Sequence, residues 1–207
     1  MPRQPNQDFN NPSPSKCNTL WLDGLKTLGL SLIFAFGFRT LVAESRYVAS
    51  GSMLPTLEVN DRLLIDKLSY HWSNPQRGDI IVFAPTEKLK QQNVRDTLIK
   101  RVIGLPGDKV EIQEGRVYVN DRLLSENYIE ENLAYQWGPV TVPADSYLVM
   151  GDNRDRSYDG RYWGFVPRDN IIGKAFMRFW SPDAPERLGK IDPSPLYPSP
   201  ERSSSQP

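Results

Sequence analysis

The sequence predicts a mainly β protein: a barrel or sandwich domain that follows an apolar N-terminal segment of near membrane-spanning length, with a disordered tail at each end. Three observations predict it. Short apolar runs rich in Val and Ile recur between residues 46 and 180, broken by Gly, Pro, Asn and Asp. Beyond residue 45 no apolar stripe keeps a helical period over a useful length. Of the 18 prolines, 11 lie before Leu20 or after Ser181. There, Asn, Ser and Gln fill the gaps, so neither end can bury enough apolar surface to offset the entropy of ordering it. The expected organisation is a tail over 1–19, an anchor over 20–45, a β domain over 46–180 and a second tail over 181–207.

The first element is the apolar segment LKTLGLSLIFAFGFRTLV, Leu25 to Val42. Its uncharged part, Thr27 to Phe38, is 12 residues long and too short to span a bilayer alone. With Lys26 and Arg39 snorkelling outward, the whole segment rises about 27 Å as a helix, close to the hydrocarbon thickness. An uncleaved anchor and a cleaved signal peptide fit this segment equally, since Val42-Ala43 supplies small residues at its end. Lys16 and Lys26 on one side face Arg39 and Arg46 on the other, so charge bias sets no orientation.

Strand-length runs follow at Arg62 to Ile65, Asp79 to Phe83, Leu98 to Ile103, Val110 to Ile112, Val117 to Val119, Tyr147 to Met150 and Ile171 to Trp180. Glu114-Gly115 between two alternating runs predicts a hairpin. Leu105-Pro106-Gly107-Asp108 carries Pro and Gly at the central positions of a type II turn.

Composition narrows the chemistry. Lys+Arg 25 against Asp+Glu 25 leaves no net charge, so no global field draws nucleic acid. A single Cys17 and a single His71 exclude a disulfide framework, a Cys/His zinc cluster and a His-pair metal site. Ser, Lys and carboxylates remain.

Ser50-Gly51-Ser52-Met53-Leu54-Pro55 places two hydroxyls around a glycine, with Pro55 holding Leu54 extended. This suits either a displayed serine or an ordinary turn. In the run Thr97 to Ile103, Lys100 shares a strand face with Leu98 and Val102, and Arg101 shares the other with Ile99 and Ile103. Desolvation can neutralise lysine but not arginine, so only Lys100 can serve as a base. Lowering a lysine to near 7.5 takes roughly 4 kcal/mol of differential interaction, and a half-exposed snorkelling lysine is the bland alternative. If Ser52 attacks a carbonyl and Lys100 takes its proton, the Ser52 amide and the Ser50 hydroxyl can hold the oxyanion.

The stretch from Met150 to Gly164 reads either as a solvated loop of Asx turns or as a support for the base, with Ser157 and an Asp/Arg pair. Asp155, Ser157, Asp159 and Gly160 imitate a calcium loop, but Val166 stands where the bidentate Glu is needed, so no metal is expected. His71 beside Trp72 is read as a surface or packing residue.

Together, SGSMLPTL, RLLIDKLSY, RGDIIVF with IKRVIGLPGD, and GDNRDRSYDGRYWGFV resemble the ordered boxes of type I signal peptidases of the bacterial and organellar type. The resemblance runs from about Arg39 to Trp180. It implies a membrane-bound serine endopeptidase that removes signal peptides from exported preproteins after small residues, in an A-x-A pattern. By position, Ser52 matches the nucleophile, Lys100 the general base, Ser50 the oxyanion-hole hydroxyl and Ser157 the hydroxyl that orients the lysine. Asp159 and Arg161 match a supporting ion pair. The resemblance further implies a mainly antiparallel β fold, an uncleaved transmembrane anchor with a cytoplasmic N-terminus, a catalytic domain in the periplasm, cell exterior or an organellar lumen, and no cofactor or metal. The expected partners are preprotein signal peptides and the lipid bilayer, with no nucleic acid; oligomeric state is left open. Two departures stand out: Gly160 replaces a Ser of many relatives, and the second anchor and large insertion of some relatives are missing. The rival classes are a self-cleaving repressor-type Ser/Lys protease, which calls for a helix-turn-helix upstream, and a non-enzymatic membrane-tethered β interaction module.

Overall fold

Ile-Ile-Val-Phe at residues 80–83 is apolar at every position, which suits a strand covered on both faces. In the computed structural model, which describes residues 21, 23–33, 43–129 and 135–191, it is a central strand of the larger of two antiparallel sheets. In chain order the strands are β1 (Ala43–Tyr47), β2 (Arg62–Asp66), β3 (Ile80–Phe83), β4 (Leu98–Gly104), β5 (Lys109–Gln113) and β6 (Arg116–Val119). They continue with β7 (Arg122–Leu123), β8 (Trp137–Thr141), β9 (Ser146–Met150), β10 (Val166–Pro167), β11 (Ile171–Trp180) and β12 (Gly189–Lys190). Three helices of four or five residues intervene: α1 (Ser69–Trp72), α2 (Glu87–Gln91) and α3 (Gly160–Trp163).

The larger sheet runs β1-β2-β11-β3-β4-β9-β10 with β12 beside β11, and the smaller runs β7-β6-β5-β8. The larger sheet's path ends at β1 and β10, so it is open, where the sequence left a closed barrel equally possible. Ile80 and Val82 pack with Val48, Met53 and Leu63. Ile81 and Phe83 turn to the other face, against Val102, Val149 and Trp163. Each such fully buried side chain contributes about 1.5–3 kcal/mol relative to exposure. Val110, Ile112, Val117 and Val119 of the smaller sheet pack with Ile103, Leu148 and Met150. The smaller sheet thus packs against β4 and β9 of the larger.

The predicted turns form. Glu114 and Gly115 have φ of 48° and 77°, a two-residue hairpin loop between Gln113 and Arg116. Gly107 has φ of 84°, and the Asp108 amide donates to the Leu105 carbonyl at 3.0 Å.

The chain divides into two units, residues 1–40 and 41–207. In the first, residues 23–33 are helical. The rest of the expected anchor, residues 34–42, lies outside the described residues, as do the tails over 1–19 and 192–207. Among the described residues no helix is long and apolar enough to cross a membrane. The ordered chain passes both expected limits of the β domain. β1 begins at Ala43, paired with Asp66, within the stretch assigned to the anchor. Beyond Trp180, Pro185 opens a 3-10 turn, β12 pairs with Met177 and Arg178, and Ala184 and Ile191 are buried. Proline at the start of a turn gives up no needed amide, so it does not oppose this folding. Averaging composition over the whole tail hides the two apolar residues that dock.

Candidate active site

Three segments converge: the turn after β1, the middle of β4, and the loop between β9 and β10. Gly51–Met53 is a 3-10 turn pinned by Met53 and Leu57, both essentially inaccessible. Leu54, before Pro55, is extended at φ −61° and ψ 145°, as the proline dictates. Ser50 precedes the turn in extended backbone, and its Oγ lies 3.3 Å from Ser52 Oγ.

Lys100 lies opposite Ile81 on the neighbouring strand and is 4% exposed. Its Nζ is 2.6 Å from Ser52 Oγ. Burial pushes the amine down from 10.5 to about 8, with the Arg161 charge acting in the same direction, against the pull of Asp159 and Asp152. Near neutrality a useful fraction is therefore the free base.

The β9–β10 loop holds both. The Asn153 amide donates to the Ser52 carbonyl at 3.1 Å, and Asn153 Nδ2 to the Gly51 carbonyl at 3.2 Å. Gly151 makes the close approach possible: a Cβ there would lie 2.4 Å from the Ser52 carbonyl oxygen and 2.2 Å from Ser157 Oγ. Asp159 is fully buried and accepts from the Gly151 amide at 2.9 Å, from Arg161 Nε at 2.7 Å and from Arg161 Nη2 at 2.8 Å. Burial raises its carboxyl from 3.8 to about 6, opposed by the Gly151 and Arg161 amides and by Lys100. Ser157 is buried beside Asp159 and close enough to help hold that carboxylate ionised. Its Oγ nonetheless makes no hydrogen bond of ordinary geometry to Lys100 or to any other described group. A Cβ at Gly160 would meet the Val149 carbonyl oxygen and Leu148 Cδ1, each at 2.8 Å, so the space for a side chain is taken here.

All six residues singled out from the sequence thus lie in one neighbourhood, while His71 is exposed, with Nδ1 against the Lys67 carbonyl at 3.0 Å. Sequence reasoning missed a second layer. Arg101, on the opposite face of β4 from Lys100, is fully buried. Its Nε and Nη2 engage Asp152 at 2.8 and 2.6 Å, and its guanidinium lies 4.0 Å from the Tyr128 ring centroid. Arg154 donates through Nε to the Gly151 carbonyl at 3.0 Å and pairs with Glu126 through Nη1 at 2.9 Å. The signal available was the crowding of Asp and Arg in the 151–161 stretch. The partners lie 51 and 28 residues away, beyond any local pattern.

Two clefts flank Ser52. One of about 120 Å³ lies between residues 47–50 and 97–100. The other, about 530 Å³, opens toward Leu54, Val94, Asn153, Arg156 and Tyr158. Ser50, Ser52, Leu98 and Lys100 form their common wall.

On this antiparallel scaffold a serine hydroxyl touches a buried amine of lowered pKa, an arrangement in which the amine can accept the hydroxyl proton. The model of the family described as "Signal peptidase, peptidase S26" matches residues 21–180, and the chain belongs to that family. A "Signal peptidase I" of Leptolyngbya laminosa is 57% identical over 187 residues, covering 89% of this chain and 91% of that protein. A "Probable signal peptidase I-2" of Synechocystis sp. is 57% identical over 160 residues, 77% of this chain and 73% of that protein. A solved signal peptidase I from Enterococcus faecalis is 35% identical, with a TM-score of 0.42, over 49% of this chain and 97% of that one.

Proposed function

We propose that the chain is a membrane-bound serine endopeptidase that cleaves signal peptides from exported preproteins after small residues, with Ser52 as nucleophile and Lys100 as general base. The observation that carries this reading is the 2.6 Å approach of Lys100 Nζ to Ser52 Oγ, with the amine lowered to about 8. Neutral Lys100 takes the hydroxyl proton as Ser52 Oγ bonds to the scissile carbonyl carbon. The oxyanion receives hydrogen bonds from the Ser52 amide and the Ser50 hydroxyl. Protonated Lys100 then gives its proton to the leaving amine as the C–N bond breaks. Water, deprotonated by Lys100, attacks the acyl-enzyme, and as the ester C–O bond breaks protonated Lys100 returns the proton to Ser52 Oγ, restoring the hydroxyl and the neutral amine. Asp159 and Arg161 act on the charge of the lysine and hold the loop behind Ser52, and Ser157, buried beside Asp159, supports that carboxylate.

Small side chains before the scissile bond are favoured because the 120 Å³ cleft is narrow and walled by Val48, Ala49 and Met53. An extended peptide there can add to the strand edges on either side. The apolar segment Leu25 to Val42 supports membrane anchoring, and the likeness to the signal peptidases I supports a catalytic domain outside the cytoplasm.

The test is intact-mass analysis of a preprotein incubated with detergent-solubilised full-length chain, wild type beside Ser52→Ala. Cleavage after a small residue at the signal junction, lost in the variant, is expected. Equal cleavage by both overturns Ser52 as nucleophile, and no cleavage by either moves the assignment to a tethered non-catalytic module.

A further inference from the structure

The larger cleft beside Ser52 carries a charge that the reaction does not use. Arg156 lines it, is exposed, and makes no ion pair among the described residues. Its neighbours in the loop behave otherwise: Asp152, Arg154, Asp159 and Arg161 are all buried in pairs. Among the described residues no carboxylate lines this cleft. Asp155 borders only the adjoining polar depression beyond Asn153, which Arg156 also lines. Apart from Lys100, the described lining of this cleft therefore presents one cation, Arg156, set among Leu54, Val94 and Tyr158 with no carboxylate on the same wall.

The direction of the bound peptide follows from size. If small residues preceding the scissile bond occupy the 120 Å³ cleft, the chain that follows the bond must leave past Ser52 through the 530 Å³ cleft. We infer that Arg156 is a specificity-determining residue that selects substrates with an acidic side chain among the first three residues after the scissile bond. This deepens the peptidase reading above and rests on it. Arg156 touches neither Ser52 nor Lys100 and acts only through the charge it offers to substrate.

The strength of the preference is bounded. An exposed ion pair in water changes an equilibrium only a few-fold, about two- to fivefold, and salt weakens it. Opposite charge at the same position loses a similar factor.

The experiment compares synthetic peptides that share one A-x-A junction and carry Asp, Asn or Lys at the first, second or third residue after the bond. Each is cleaved by the full-length detergent-solubilised chain, as wild type, Arg156→Gln and Arg156→Glu. For wild type, kcat/KM is expected to rank Asp above Asn above Lys at one of the three positions, with a spread of about four- to twenty-fivefold that shrinks in high salt. Arg156→Gln is expected to flatten the ranking and Arg156→Glu to reverse it. A ranking unchanged in both variants overturns the inference. Equal cleavage of all peptides by wild type also overturns it, while leaving the peptidase reading intact. Only failure to cleave any peptide counts against that reading itself.

Discussion

Lys100 owes its lowered pKa to its place on β4, where burial removes the water that would stabilise its charge. The proposed base works in its neutral form, so kcat/KM should fall about tenfold per pH unit below about 8 and level off above it. A pH–rate profile of peptide cleavage measures this; a limb near 10 would mean a solvated lysine. The sign for stability is separate. Folding lowers this pKa from 10.5 to about 8, so the unfolded chain binds more protons between those values and stability rises with pH across that window. Asp159 acts on the same titration in the opposite sense, because its negative charge raises the Lys100 pKa. Asp159→Asn should therefore move the acid limb of kcat/KM below 8. It should also destabilise the fold by about 3–5 kcal/mol, because Arg161 is left charged, buried and unpaired. Profiles of the two enzymes, with urea denaturation beside them, separate these effects.

The elements that build the site differ in how they hold it. β4 fixes Lys100 by pairing with β3 and β9, so its geometry is that of the sheet. The turn carrying Ser52 has no such ladder and relies on the β9–β10 loop, which takes up the carbonyls of Gly51 and Ser52 through Asn153. At Gly151 the loop passes so close to the Ser52 carbonyl that no Cβ fits between them. Gly151→Ala would place a methyl 2.4 Å from a backbone oxygen, which is not the flexible end of a side chain, so the turn must shift. A displacement of about 1 Å at the reacting atom costs on the order of 100-fold in rate. The variant should lose at least that much kcat/KM while circular dichroism still reports a β fold. Activity within threefold of wild type would show that the turn tolerates the shift.

At the scale of the whole catalytic unit, the two sheets are joined by buried charge as well as by apolar packing. Glu126 follows the smaller sheet's β7, yet it neutralises Arg154 in the loop of the larger sheet, and Tyr128 lies over Arg101. Both members of the Arg154–Glu126 pair are almost inaccessible, with 2% and 4% of their side chains exposed. Removing one charge leaves the other uncompensated. Glu126→Gln should therefore destabilise by about 3–5 kcal/mol in urea denaturation. It should also reduce kcat, since Arg154 holds the Gly151 carbonyl. A loss of stability without any loss of kcat in the folded fraction would confine the pair to a structural role.

Much was legible in the sequence because it depends on local pattern. The seven strand runs, the Glu114-Gly115 hairpin and the Gly107 turn follow from alternation and from positive φ, both set within a few residues. Ser50, Ser52, Lys100, Ser157, Asp159 and Arg161 were singled out by residue chemistry and by the order of their boxes, which a chain carries whether or not it is folded. Three things were decided by tertiary structure. The partners of Arg101 and Arg154 lie on strands and loops far along the chain, and an ion pair chooses its partner by distance in space. The ordered extension to Ile191 follows from two apolar residues finding a groove, against a composition that argues for disorder. The lowered pKa of Lys100 comes from the packing that surrounds it: a lysine on a strand is base or surface charge according to what covers that face, and only the assembled sheets cover it.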